Sequence, residues 1–244
     1  MTLLALIDVS RRLRDGAREL TVLDRVHLEV RAGELIGIYG ERRSGKSTLM
    51  RVAAGLEVPD HGTIEFDRVD IGRLSISARA RQRRRSGLAL VSGDHGPPPG
   101  GQPAIEHVAL PLTNDGLTLA ESEGLARAVL ARLGLATIAH MRVDRMSLSD
   151  RVRIELARAL VREPRLLLVD EPAVLPGPSD SRELYALLRS LPKAGIAVVI
   201  ASQDVAALSG VDRFLTLSDG RLRSTDSRRR VIPFPGAGGQ LGSR

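Results

Sequence analysis

Nine consecutive residues, Gly40-Glu41-Arg42-Arg43-Ser44-Gly45-Lys46-Ser47-Thr48, carry the clearest chemistry in the chain. The spacing G-x-x-x-x-G-K-S is that of a phosphate-binding loop. Its glycines let the backbone curl so that successive N–H groups, from Gly40 through Arg42 and Ser44 to Thr48, face phosphate oxygens. Lys46 would reach the β- and γ-phosphates of a nucleotide, and the Ser47 hydroxyl would ligate Mg²⁺. The chain holds only two lysines, Lys46 and Lys193, although it is rich in arginine. One of the two therefore sits where this motif demands it. The competing reading is a glycine turn with a chance lysine, and the flanking pattern argues against it. An apolar run at residues 35–39 reads as a buried strand, and residues 48–54 read as a helix. Strand, loop and helix in that order are the context the motif requires.

A second group lies far along the chain. Leu166-Leu167-Leu168-Val169-Asp170-Glu171-Pro172 is an apolar strand that ends in two carboxylates. In an open α/β sheet, ligands bind at the carboxyl ends of strands. Asp170 is thereby expected beside the phosphate loop, holding Mg²⁺ together with Ser47. Glu171 is expected at the γ-phosphate, orienting or deprotonating the attacking water. The two motifs together point to ATP or GTP as ligand. No Asn-Lys-x-Asp guanine reader is present, which argues against a small GTPase.

The elements that must position these groups follow from periodicity. Residues 3–9 and 21–30 alternate as strands around an Arg/Asp/Gly turn, and residues 62–67 and 87–91 read as further strands. Residues 79–85 form an arginine cluster, expected to be a solvated face. Residues 92–101, rich in Pro and Gly, are a loop. Residues 119–133 carry apolar side chains at helical spacing, with Thr118 as N-cap and Glu121 as capping-box partner. Helices at 149–161 and 181–191 alternate with strands at 166–169 and 196–201. That βαβ order predicts an α/β protein with a mainly parallel sheet. No internal repeat is visible.

Composition bounds the rest. At 244 residues, 43% apolar and 27% charged, the chain suits one globular unit. Without cysteine there are no disulfides or thiolate metal sites. No run is long enough to span a bilayer, and the first residues lack a signal-peptide pattern, so a soluble or peripheral protein is expected. The charge of +7 is almost entirely arginine, and aromatics are 2%, too few for base-stacking platforms. Nucleic acid is not expected as a partner. Residues 227–244, with Arg228-Arg229-Arg230, read as a disordered basic tail.

With these motifs in place the chain resembles the ATP-binding subunit of ABC transporters. The resemblance runs over residues 3–223. It adds residues 151–160 as the helix behind the family signature, Arg162-Glu163-Pro164-Arg165 as its link to the second nucleotide strand, and residues 212–222 as a closing hairpin. His107-Val108-Ala109-Leu110-Pro111-Leu112 is similar to the branch serving lipoprotein and macrolide export and cell division. The resemblance implies a P-loop NTPase core of the ABC type, at residues 1–91 and 160–226. An N-terminal antiparallel β subdomain and an inserted helical subdomain, near 103–159, accompany it. It also implies ATP and Mg²⁺ as cofactors and a membrane permease as partner. A second ATPase subunit is expected too, either an intact one or another copy of this chain. The location implied is peripheral, at the cytoplasmic face of the plasma membrane.

Set beside the family pattern, several positions depart from it. Leu13 stands where an aromatic would stack on adenine. Val91 stands where a glutamine senses Mg²⁺, with Gln102, Asp94 and His95 as later substitutes. The signature falls on Met146-Ser147-Leu148-Ser149-Asp150, keeping Ser147 for the nucleotide but introducing Leu148 and Asp150. Gly177 replaces an acidic residue, and Gln203 replaces the histidine that clamps the γ-phosphate. Three readings follow: a degenerate transporter ATPase subunit of low activity, a regulatory subunit driving signalling or cell-wall remodelling, and, ranked last, a soluble ABC ATPase acting on nucleic acid.

Overall fold

The computed structural model describes residues 1–15, 18–92, 101–172 and 178–224. Two sheets and a helical layer make up the fold. The first sheet is antiparallel, in the order β2-β1-β4-β5, from β1 (Thr2–Asp15), β2 (Arg18–Arg31), β4 (His61–Phe66) and β5 (Val69–Asp70). The second runs β10-β9-β3-β8-β7-β6, from β3 (Leu35–Tyr39), β6 (Leu88–Ser92), β7 (Leu166–Asp170), β8 (Ala197–Ser202), β9 (Arg213–Ser218) and β10 (Arg221–Ser224). All its pairs are parallel except the closing hairpin of β9 and β10.

Strands β7 and β8 are buried on both faces, which explains their unbroken apolar sequences. Their alternate side chains feed two cores. Leu166, Leu168, Ala197 and Val199 pack with α1 (Lys46–Ala53) and the antiparallel sheet. Leu167, Val169, Val198 and Ile200 pack with the helices on the other side. Those helices are α3 (Ala104–Thr113), α4 (Leu119–Arg132) and α5 (Leu148–Leu160), all inserted between β6 and β7, and α6 (Pro178–Ser190). Thr118 and Glu121 form the expected capping box at the start of α4.

Three expectations change. The first two strands run further than alternation suggested, to Asp15 and from Arg18. Residues 10–14, assigned to a turn, pair across the hairpin as Arg12 with Thr21, Leu13 with Leu20 and Arg14 with Glu19. Paired charges such as Arg12–Glu19 masked the strand pattern. The arginine cluster forms α2 (Ile76–Ser86), capped by Ser75, and it is not simply a solvated face. Arg79 is only 8% exposed. Helix α3 was not anticipated, because Pro111 falls inside it. Among the described residues no helix is long and apolar enough to cross a membrane. Asp94, His95, Gly177 and the basic tail lie outside the described residues.

Candidate nucleotide site

The phosphate loop leaves the end of β3 and turns into α1 at Gly45, whose φ is +100°. A Cβ on Gly45 would lie 2.8 Å from the Val22 carbonyl, and one on Gly40 would lie 2.4 Å from Ser44 Oγ. Both positions therefore exclude side chains for reasons of space, and at Gly45 the backbone conformation opposes one as well. The first turn of α1 has no side-chain cap and no acidic residue. Its leading N–H groups have no intrahelical acceptor, so the loop presents donors and the positive end of a helix dipole to an anion. Ser44 Oγ is buried and has no hydrogen-bond partner.

Lys46 is folded into this loop, 5% exposed. Its ammonium donates to the carbonyls of Gly40 at 2.7 Å and Glu41 at 2.8 Å, and pairs with Glu171 Oε1 at 3.0 Å. The residues of the two sequence motifs, 125 positions apart (171 − 46), are thus in direct contact. The sheet order explains how. Only β8 separates β3 from β7, and both end on the same side.

Asp170 shares a face of β7 with Leu166 and Leu168, the face that packs on α1. It is buried and shares a hydrogen bond with Ser47. Its pKa lies above the usual aspartate range. Burial is the main cause, opposed by the Ser47 hydrogen bond, reinforced by the Glu171 charge and moderated by Arg51 and Lys46. Asp170 Oδ1 is buried without a hydrogen-bond partner. A buried carboxylate oxygen left free, next to a hydroxyl, is the oxygen donor set that a hard divalent cation takes, with water completing its shell. The residues present fit Mg²⁺.

Glu171 adopts φ +45°, a left-handed conformation unfavourable for a residue with a Cβ. Its N–H donates to Ala201 O at 2.9 Å, and its Oε2 accepts from the Gln203 N–H at 3.4 Å. The twist turns the carboxylate back across the strand ends towards Lys46. Gln203 thus meets Glu171 through its backbone, while its side chain is exposed.

Leu13 is 38% exposed and faces Leu20 across the hairpin. Leu20, not Leu13, lines the groove of about 590 Å³ beside the loop, together with Arg42, Arg43 and Ser44. Val91 is a core side chain, and Ser92 is the residue that registers with Asp170. Gln102 is exposed, and its carbonyl accepts from Val143 N–H at 3.1 Å in the helical layer. Ser147 caps α5. It accepts from Asp150 N–H at 3.1 Å, and its hydroxyl donates to Asp150 Oδ2 at 2.7 Å. Thr48 is buried within α1 and takes a long contact from Arg51 at 3.5 Å.

Three neighbours escaped sequence reasoning. Arg51 adds positive charge near Asp170. Ser202 accepts from the Gly40 N–H at 3.3 Å and so ties β8 to the loop. Tyr185 of α6 shares a hydrogen bond with Ser202, and burial raises its pKa. Tyr185 is one of only two tyrosines, and that rarity is its one signal in the sequence.

A glycine-cradled anion site, a buried lysine and paired carboxylates at the ends of parallel strands define a P-loop nucleoside triphosphatase. A family profile described as ABC transporter matches residues 23–174. The chain belongs to the ABC transporter family, as an ATP-binding domain. It is 36% identical over 220 residues to the lipoprotein-releasing system ATP-binding protein LolD 2 of Caulobacter vibrioides, covering 90% of this chain and 96% of that one. It is 32% identical to the macrolide export ATP-binding/permease protein MacB 2 of Aeromonas hydrophila, covering 96% of this chain but only 36% of that protein's length. The chain thus spans about a third of the relatives of that kind. The fold superposes on the dimeric ATP-binding cassette MJ0796 in a post-hydrolysis state with ADP and Pi, with TM-score 0.83 and 25% identity over 91% of this chain and 98% of that one. The expected α/β fold of the ABC ATPase type is therefore present.

Proposed function

We propose that this chain is the ATP-binding subunit of a transporter complex, coupling Mg-ATP binding and slow, asymmetric hydrolysis to a membrane permease. The observation that carries the proposal is the joined set of Lys46, Glu171, Ser47 and Asp170, assembled from two distant motifs. Lys46 and the loop amides would bind the β- and γ-phosphates. Ser47 and Asp170 would hold Mg²⁺, which supplies neutralising charge to the phosphates when bound. Glu171 would orient the attacking water.

Low turnover follows from two positions. Gln203 can donate a hydrogen bond but cannot carry the positive charge of a histidine. Ser147 is already engaged by Asp150, so this signature offers an occupied hydroxyl and a carboxylate where a phosphate would have to come. A missing transition-state donor costs on the order of a hundredfold in rate. Pairing with a more intact ATPase subunit would give two unequal sites. The permease partner and a peripheral position on the membrane are supported by relatives named for lipoprotein release and macrolide export.

The test is equilibrium binding of a fluorescent ATP analogue to the purified chain, with and without Mg²⁺. Binding should require Lys46 and fall on the order of a hundredfold or more in Lys46→Ala. Unchanged affinity in that variant would falsify the site assignment.

A further inference from the structure

The phosphate loop carries two arginine side chains that none of the contacts around Lys46 uses. Arg42 and Arg43 follow Glu41, and all three are exposed. Among the described residues, neither guanidinium takes part in a hydrogen bond or an ion pair. Arg51 of α1, by contrast, is committed to Glu57. Arg43 also holds φ +64°, a left-handed conformation that disfavours a Cβ. The turn is closed by Ser44, whose N–H donates to the Glu41 carbonyl at 3.2 Å. Glycine would hold the same turn without strain, so the loop keeps a strained cation at this place.

Position gives the two cations a target. The Lys46 ammonium marks where the β- and γ-phosphates would sit, and it is 2.8 Å from the Glu41 carbonyl. Arg42 is the next residue, so its Cα lies within about 7 Å of that ammonium. An extended arginine side chain covers that span, and Arg43 begins only one residue further on. Both line the groove beside the loop, together with Ser44, whose buried Oγ has no hydrogen-bond partner. Neither guanidinium would have to give up a protein contact to meet a phosphate.

The charge balance of the site calls for such cations. Glu171 and Asp170 stand against Lys46 and Arg51. Glu41 and Asp219 add carboxylates on the groove, and Gln203 is neutral. A terminal phosphate brings more negative charge to the same place than a diphosphate does. We infer that Arg42 and Arg43 close on the terminal phosphate of the bound nucleotide as a cationic clasp, and so select a triphosphate over a diphosphate. The inference deepens the nucleotide-binding reading and rests on it.

The experiment measures the equilibrium affinities of fluorescent ATP and ADP analogues for the full chain, at fixed Mg²⁺ and ionic strength. In Arg42→Ala/Arg43→Gly, ATP affinity should fall about tenfold and ADP affinity by less than about twofold. The Tm of this variant should be equal or higher, because glycine releases the strain at position 43. Arg42→Ala alone should already lower the ratio of ATP to ADP affinity about threefold. Arg42→Lys/Arg43→Lys should keep most of the ATP preference. Added salt should narrow that preference more in the unsubstituted chain than in the Ala/Gly variant. An unchanged ratio in the Ala/Gly variant, or equal losses for both nucleotides, would overturn the clasp. Lys46→Ala, measured alongside, should weaken both nucleotides and so reports on the site itself. If it weakens both while the arginine variants leave the ratio unchanged, the clasp fails and the site stands; if it weakens neither, both fail.

Discussion

Replacing Glu171 by Gln should move nucleotide affinity and apo stability in opposite directions. In the structure Lys46 is held between two loop carbonyls and the Glu171 carboxylate, at 2.7, 2.8 and 3.0 Å. A γ-phosphate must compete with that carboxylate for the ammonium and is also repelled by it. At 3 Å and an effective dielectric constant near 20, the bare charge–charge energy is about 5 kcal/mol. Most of this does not survive as a net effect. The Glu171 side chain is 34% exposed and screened, and an amide oxygen still accepts a hydrogen bond from Lys46. The remaining difference is about 1–1.5 kcal/mol, so ATP should bind roughly tenfold more tightly. Without nucleotide the variant leaves a buried ammonium short of its anion. About 1 kcal/mol lost there lowers Tm by roughly 2–4 °C for a chain of this size. Titration with a fluorescent ATP analogue at fixed salt and Mg²⁺, beside thermal unfolding of the apo protein, reads both. Equal or weaker ATP binding would refute the idea that Glu171 competes for Lys46.

Other expectations follow from neighbouring groups. Gln203→His, which adds a charged donor one hydrogen bond from Glu171, should raise steady-state ATPase turnover of the isolated chain by about tenfold or more; no increase would mean that the altered signature is limiting. Gly45→Ala should abolish nucleotide binding and destabilise the loop by about 2 kcal/mol or more, because φ +100° and the Val22 carbonyl at 2.8 Å both oppose a Cβ; near-wild-type unfolding would contradict the loop geometry. For Asp170 the sign is set by its raised pKa. Its contribution favours the apo fold below the usual aspartate range and is lost as pH rises through the folded pKa. Asp170→Asn should therefore leave apo stability at neutral pH equal or higher. In the unsubstituted chain, Mg²⁺-dependent ATP affinity should decline on acidification at a higher pH than an exposed aspartate would give.

Local chemistry made much of this protein legible in its sequence. The glycine spacing of the phosphate loop, the all-apolar strand ending in Asp170 and Glu171, and the Thr118–Glu121 capping box each depend on residues a few positions apart. Their physical meaning travels with them. The α/β class was equally readable, because a strand buried on both faces must be apolar throughout. Tertiary structure alone decided what depends on register and on distant neighbours. That Leu20 rather than Leu13 borders the loop follows from the hairpin's pairing. That Ser92, not Val91, accompanies Asp170 follows from which side of β6 each residue faces. Glu171 adopts its left-handed conformation where its N–H meets the Ala201 carbonyl of β8, a partner 30 positions on in the chain. Arg79 reads as a surface arginine and is buried, because α2 packs beside the loop after α1. Side-chain type and spacing specify which chemistry is available. Only the packing of elements far apart in the chain specifies which of those groups meet, and which are left with a free buried donor or acceptor for a ligand to satisfy.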